Sequence, residues 1–395
     1  NVSGGLDAAP DWIQMHTELA REGYAWVGVS AQIVGIEGGG AFDLPLKTID
    51  PERYGELSHP GDSFSYDIFS QAAQAVRNPV SLDPLEGLAV ERIYAVGQSQ
   101  SAFRLTTYYN AVHPTVAAFD GFIIHSRGNG AAGISQEPQV VQPAPENTFT
   151  RTDQPEPVIV LQTETDVFIL ESIAVRQPDS ANYRLWEVAG SAHSDVYTTT
   201  KGPEDRGDDS EVADVISNSA ARPPFIDCAK PVNDGPGHWL AKAAVHALDD
   251  WVRNGVSAPA APLLALNASG DSFALDNLGN TQGGIRTPYV DAPVAALSGE
   301  GQPADSVFCG LFGTTALFED ATMAMLYPTQ DSYINAIDTA TDSAVSAGFL
   351  RPADAELIKS RARSSGIGGD VFGIGGGAVF PLGGAGSGVQ LDSAR

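Results

Sequence analysis

The sequence has little positive charge and few cysteines, and it lacks any long apolar run. Among its 395 residues, only 22 lysines and arginines stand against 49 aspartates and glutamates, so the formal net charge is -27. A field of that sign repels phosphate backbones and anionic lipid headgroups. No stretch reaches the roughly 18 consecutive apolar residues of a transmembrane helix. We therefore expect a globular protein that binds no nucleic acid and has no membrane span.

The two cysteines, Cys228 and Cys309, fit no metal-ligand spacing. Both lie in loop-rich sequence, where they form either one disulfide in an oxidising compartment, which we favour, or two buried thiols. The seven histidines include no HExxH motif and no close pair, so we expect no metal site.

The chain starts with the loop-like residues NVSGG, without a methionine or a signal peptide. We expect a processed or truncated form and favour a secreted or periplasmic location.

Short β-branched runs alternate with helical patterns over residues 1–254, which predicts a mostly parallel α/β sheet flanked by helices. Strands are predicted for YAWVGVSA from Tyr24, Ile93–Val96, Phe119–His125, Val158–Gln162 and Tyr183–Ala189. Helices are predicted over Asp11–Glu22, Asp62–Arg77, Ser101–Ala111, Gly237–Arg253, Gln330–Ala347 and Ala353–Ser364. The composition divides the chain into a core domain (1–254), an irregular Gly/Pro-rich C-terminal extension that packs on it (255–365), and a Gly-rich tail (366–395).

Ser99 lies in the stretch VGQSQSA, between a predicted strand and a predicted helix. This is the context of a nucleophile elbow, the sharp strand-to-helix turn that exposes a catalytic serine. Gly97 supplies one of the small residues that such a turn needs, and Ser101 stands where the motif usually has a second glycine. The alternative is a helix N-cap, a role that serine commonly has.

Two later strand ends supply a candidate acid and a candidate base. Asp166 lies just past the strand in PVIVLQTETDVFI, and Glu164 in the same loop is the alternative acid. His193 follows the next strand, and we prefer it as base to His238, which begins a helix. The order serine, aspartate, histidine is the chain order of the α/β-hydrolase triad.

Together with VGQSQSA, the segments FDGFIIHSRG, LQTETDVF, WEVAGSAHSD and GGIRTPYVDAPVA resemble a group of bacterial α/β-hydrolase-domain proteins, which are presumed serine esterases. The resemblance spans nearly the whole chain, including residues 256–365. It implies that Ser99 is the nucleophile, that His193 is the general base and that Asp166 orients the histidine. It also implies that the first strands of this fold would precede Asn1.

The resemblance further implies an oxyanion hole made by the backbone N–H of Gln100 and a second N–H from the loop that contains Gly4 and Gly5. His125 and Arg127 follow a strand at its carboxyl end, where ligands bind in such sheets, so we expect them to line the substrate pocket. For Arg127, an ion pair with a surface acid is the alternative.

These residues predict a serine hydrolase that cleaves a small carboxylic ester through an acyl-enzyme and needs no cofactor. An amidase, a peptidase or an acyltransferase would use the same triad, so these activities stay open as alternatives. A catalytically silent binding protein built on the same fold is a third possibility. The intact order of the three residues counts against it, whereas the missing first strands count for it.

Overall fold

The computed structural model describes residues 9–40, 43–218, 227–303 and 307–369. The helices up to the end of the core domain are α1 (Pro10–Glu22), α2 (Ile33–Glu37), α3 (Leu46–Ile49), α4 (Pro51–Tyr54), α5 (Ser65–Arg77), α6 (Gln100–Thr107), α7 (His113–Val116), α8 (Glu164–Phe168) and α9 (Gly237–Asn254). Those of the extension are α10 (Pro288–Asp291), α11 (Val307–Gly310), α12 (Asp320–Leu326), α13 (Gln330–Ser346) and α14 (Pro352–Ser364). The strands are β1 (Tyr94–Gln98), β2 (Gly121–His125), β3 (Val158–Thr163), β4 (Tyr183–Val188), β5 (Ala295–Ser298) and β6 (Thr314–Leu317).

Strands β1 to β4 form a parallel sheet in the order β1-β2-β3-β4. The register places Gln98, the last residue of β1, opposite His125 at the end of β2, and Thr163 of β3 opposite Val188 of β4. Because the carboxyl ends of parallel strands meet at one edge, the loops that carry the candidate triad all start there. The predicted fold class, a parallel α/β sheet flanked by helices, is confirmed.

Helices cover both faces of this sheet, which explains why β2 and β3 are buried along their whole length and read as continuous apolar runs. The side chains that face α1 and α9 include Ile123, Ile159, Leu161 and Trp186. Those that face α5 and α6 include Phe122, Ile124, Val158 and Val160. Within the described ranges, no helix combines the length and the apolar character needed to cross a bilayer.

The extension packs into the apolar core on the side of the sheet that faces α1 and α9, and it continues the sheet at β4. Ile285 forms a parallel bridge with Val188, and its carbonyl accepts a 3.1 Å hydrogen bond from the N–H of Ala189. Helices α13 and α14 lie where the sequence predicts them, but the antiparallel pair β5–β6 was not predicted, because each strand has only four residues in Gly/Pro-rich surroundings. The extension therefore packs against the loop that follows β4. The boundary at residue 254 stays a prediction.

The strand predicted from Tyr24 is wrong. Residues 24–31 have no regular secondary structure, and the side chain of Val27 is 48 % exposed. The ring of Trp26 instead packs on Trp12 of α1, with the ring centroids 5.7 Å apart. Tyr24 and Trp26 are the residues of this run that pack against the core, and both are only partly buried. An apolar run does not by itself indicate a strand, because the sequence pattern does not record hydrogen bonding.

Candidate active site

The turn at Ser99 joins β1 to α6 and has the geometry of a nucleophile elbow. Ser99 has φ 57° and ψ −123°, a conformation that a residue with a side chain adopts at a cost of roughly 1–3 kcal/mol. Its N–H donates a 3.0 Å hydrogen bond to the carbonyl of His125. A Cβ added to Gly97 would lie 3.0 Å from the carbonyl oxygen of Ser101 and 3.3 Å from its Cβ. The turn thus leaves little room for a larger side chain at either position.

The hydroxyl of Ser99 points away from the helix that it precedes. Among the described residues, its side chain makes no capping bond to the first turn of α6. Its Oγ lies 2.9 Å from Nε2 of His193 instead, and the residue stays partly exposed. This geometry argues against the N-cap alternative.

His193 lies in the loop after β4 and connects the serine to a carboxylate. Its Nδ1 is 2.7 Å from Oδ1 of Asp166, and the ring is 6 % exposed. Because the carboxylate accepts a hydrogen bond, the proton belongs on Nδ1, and Nε2 keeps its lone pair toward the hydroxyl of Ser99. In this tautomer the imidazole can take the proton of the serine.

Asp166 is fully buried, and its position in the first turn of α8 fixes its direction. One oxygen, Oδ2, accepts hydrogen bonds from the N–H and the hydroxyl of Thr163, at 2.7 and 2.9 Å. The bond from the N–H is one half of a capping box between Thr163 and Asp166. The other oxygen is thereby directed at His193. The spacing Thr163-x-x-Asp166 is that of a capping box, and this sequence signal could have favoured Asp166 over the alternative acid.

The alternative acid, Glu164, binds two backbone groups instead of the histidine ring. Its Oε1 accepts the N–H of Gly190 at 2.6 Å, and its Oε2 accepts the N–H of Gly299 at 2.9 Å. Complete burial raises the pKa of Glu164 to about 7, against the lowering effect of these two N–H groups. Glu164 therefore joins the loop after β4 to the extension.

Gln98 is a buried polar residue of the site that the sequence reasoning missed. It is the last residue of β1, and its Nε2 donates a 3.0 Å hydrogen bond to the backbone carbonyl of His193. Its Oε1 in turn lies 3.4 Å from Nε2 of Gln14 on α1. A glutamine at the end of an otherwise apolar strand was the available signal, but no residue spacing connects it to the histidine loop.

The expected oxyanion donors lie partly within the described structure. Gln100 is the first residue of α6, so its backbone N–H lies beside the nucleophile at a helix N-terminus. Its side-chain amide donates a 2.7 Å hydrogen bond to Oε1 of Gln32, which is 4 % exposed. The segment before α2 therefore packs against the start of α6. Gly4 and Gly5 lie outside the described residues.

The two residues expected to line the pocket, His125 and Arg127, have partners within the protein. Nδ1 of His125 is 2.9 Å from Oδ1 of Asp11 on α1. The guanidinium of Arg127, 2 % exposed, donates to the carbonyl of Gly128 and the hydroxyl of Thr150, both at 3.0 Å. Burial lowers the pKa of Arg127 to about 10. These contacts tie the loop after β2 together.

His238, the competing base, packs in the interior. Its ring stacks on that of Tyr197 at a centroid distance of 3.6 Å. Burial, and then the positive charge of Lys242, hold the pKa of His238 well below its usual value. Within the described ranges, the histidines, cysteines and carboxylates form no cluster that could hold a metal ion.

Cys228 and Cys309 form a disulfide in the structure. The bond ties the segment around α11 to the chain before α9. Directly after α11, the carbonyl of Leu311 accepts a 3.0 Å hydrogen bond from the N–H of Ser194, the neighbour of His193. The disulfide thus lies next to the support of the histidine loop.

Comparison with known protein families agrees with this arrangement of sheet and loops. The model of the family described as "Alpha/beta hydrolase domain" matches residues 1–360, and the match therefore includes the extension. No curated protein and no solved structure gives a significant match. The resemblance seen in the sequence motifs is confirmed at the level of the family. The chain belongs to the alpha/beta hydrolase domain family.

Proposed function

We propose that the protein is a serine hydrolase that cleaves carboxylic esters through an acyl-enzyme intermediate. The observation that carries this proposal is the continuous hydrogen-bonded chain from Asp166 through His193 to Ser99, with distances of 2.7 and 2.9 Å. The nucleophile sits on a strained turn and is partly exposed, whereas the acid is fully buried. Family membership supports hydrolase chemistry in general, and the ester bond is our proposal.

In the acylation step, Oγ of Ser99 attacks the ester carbonyl while Nε2 of His193 takes the hydroxyl proton. The buried carboxylate of Asp166 stabilises the imidazolium that forms and holds the ring in orientation. The backbone N–H of Gln100 is our candidate donor to the oxyanion of the tetrahedral intermediate. His193 then gives its proton to the leaving alcohol, and the acyl group remains on Ser99.

In the deacylation step, His193 takes a proton from a water molecule, and the resulting hydroxide attacks the acyl carbonyl. The second tetrahedral intermediate collapses with the release of the carboxylic acid and the return of the proton to Oγ of Ser99. Both steps use the same base, His193, and the same candidate oxyanion donor, the backbone N–H of Gln100.

Labelling with a fluorophosphonate probe tests this proposal. The wild type should react at one serine, the Ser99→Ala variant should not react, and the variant Ser269→Ala, which changes an exposed serine of the extension, should react like the wild type. A wild type that stays unlabelled, or a Ser99→Ala variant that labels equally well, contradicts the proposal. Turnover of p-nitrophenyl esters of increasing acyl length, beside the matching anilides, then separates esterase from amidase activity.

A further inference from the structure

Three consecutive residues at the start of α8 all bind the loop that carries His193. Glu164 accepts the N–H of Gly190 at 2.6 Å, and Asp166 binds the ring of His193 at 2.7 Å. Between them, the hydroxyl of Thr165 accepts the backbone N–H of His193 at 3.2 Å. All three side chains are 0 % exposed. The start of α8 and the loop that carries His193 are therefore joined by three side-chain hydrogen bonds, of which the aspartate–histidine bond is one, and by the N–H of Glu164, which donates to the carbonyl of Ser191 at 3.3 Å.

Two of these residues also bind one residue of the extension, Gly299. Its N–H donates to Oε2 of Glu164 at 2.9 Å, and its carbonyl accepts the hydroxyl of Thr165 at 2.6 Å. A Cβ added to Gly299 would lie 2.4 Å from the backbone N of Thr165 and 2.5 Å from the Cβ of Glu164. Space therefore requires glycine at this position. The extension thus contacts the residues next to the candidate acid through Gly299, whose N–H and carbonyl are both hydrogen-bonded there.

The hydroxyl of Thr165 has a defined direction in this arrangement. A hydroxyl has one proton, and the proton of Thr165 is given to the carbonyl of Gly299. The oxygen lone pairs are then oriented toward the N–H of His193, which they accept. Displacement of the Gly299 carbonyl would therefore leave the hydroxyl of Thr165 free to rotate away from His193.

We infer that Glu164 and Thr165 are positioning residues, which use Gly299 of the extension to hold His193 within hydrogen-bonding reach of Ser99. The inference rests on the proposed function, because it concerns the base of the proposed triad. A displacement of about 1 Å at a reacting group can cost about 100-fold in rate. The extension is thus part of the support of the catalytic loops and not an appended domain.

Steady-state kinetics on a p-nitrophenyl ester, normalised to folded protein, tests the inference with two pairs of variants. Thr165→Val keeps the shape and loses the hydroxyl, whereas Thr165→Ser keeps the hydroxyl. Gly299→Ala introduces the clashing Cβ, whereas Gly310→Ala places a Cβ in the same extension where it meets no described atom within 4 Å. We expect kcat to fall about 100-fold for Thr165→Val and Gly299→Ala, with KM within twofold of the wild type. Thr165→Ser and Gly310→Ala should retain most of kcat.

A second readout does not depend on turnover. The Nδ1 proton of His193, hydrogen-bonded to Asp166, should give a low-field ¹H NMR signal in the wild type, and Thr165→Val should shift or abolish it. If the wild type shows this signal but neither hydrolyses esters nor reacts with fluorophosphonate, the proposed function fails while the positioning role stands. A kcat within twofold of the wild type in folded Thr165→Val, or an unchanged signal, overturns the inference. The two Thr165 variants decide the matter if Gly299→Ala does not fold.

Discussion

Replacement of Glu164 by glutamine should remove a pH dependence from the stability of the protein. The carboxyl is fully buried, and burial raises its pKa from 4.5 to about 7 in the folded protein. Between these two values the folded protein keeps a proton that the unfolded chain releases. The stability that this group contributes is therefore complete below pH 4.5 and is lost as the pH rises through 7.

The size of the effect follows from the difference between the two pKa values. The difference between a pKa of 4.5 in the unfolded chain and a pKa of about 7 in the folded protein corresponds to about 3–4 kcal/mol. The Glu164→Gln variant has no proton to release, so its unfolding free energy lacks this decline. Glutamine can accept only one of the two N–H groups, from Gly190 and Gly299, so the variant also loses about 1–3 kcal/mol at every pH.

Urea unfolding followed by tryptophan fluorescence from pH 4 to pH 8 measures both contributions. The other titrating groups, such as the buried carboxyl of Asp234, are common to the wild type and the variant and cancel in the difference. Between pH 4 and pH 8 the unfolding free energy of the wild type should fall by about 3 kcal/mol relative to that of Glu164→Gln, so the variant is the less stable protein at pH 4 and is as stable as the wild type, or more stable, at pH 8. The matched variant Glu52→Gln, at an exposed glutamate, should show no such change. Parallel stability curves for the wild type and Glu164→Gln would refute the reasoning.

Three other predictions concern the proposed triad, the disulfide and the elbow. Asp166→Asn should lower kcat for ester turnover by about 10³–10⁴-fold, and a larger loss in Glu164→Gln would overturn the assignment of the acid. Joint replacement of Cys228 and Cys309 by serine should lower the unfolding free energy by about 4 kcal/mol, because the bond links residues 81 positions apart; an unchanged urea midpoint would contradict this. Gly97→Ala should slow fluorophosphonate labelling about tenfold, since its Cβ would displace the turn that holds the nucleophile; labelling at the wild-type rate would show that the turn adapts.

The parallel sheet and the meeting of the three candidate residues could be predicted because both depend on local signals. Strands such as β3 read as apolar runs, and the residue after a strand end is placed by the topology of a parallel sheet. Ser99, Asp166 and His193 each follow a strand, so their convergence needs no knowledge of side-chain packing. The strand predicted from Tyr24 was wrong because an apolar run is also found where a segment without strand pairing lies beside a helix, as Trp26 does on Trp12.

The supporting contacts could not be predicted because they join residues far apart in the chain. Thr165 and Gly299 are separated by 134 positions, and no periodicity in the sequence relates them. The role of Gln98 likewise depends on where the loop of His193 folds back. The pocket roles expected for His125 and Arg127 rested on their position at a strand end, which does not reveal that both side chains have partners in the protein.

The loop after β4 needs the extension for a reason that follows from its buried backbone. The N–H of Ala189 is accepted by the carbonyl of Ile285, and the N–H of Ser194 by the carbonyl of Leu311. Ala189 is fully buried, and a buried N–H without a partner costs about 1–3 kcal/mol, so the contact with the extension stabilises this loop in its present path. The same loop places His193 between Ser99 and Asp166. The geometry of the proposed triad is therefore a property of both parts of the chain, and the extension contributes to it without supplying any of the three reacting side chains.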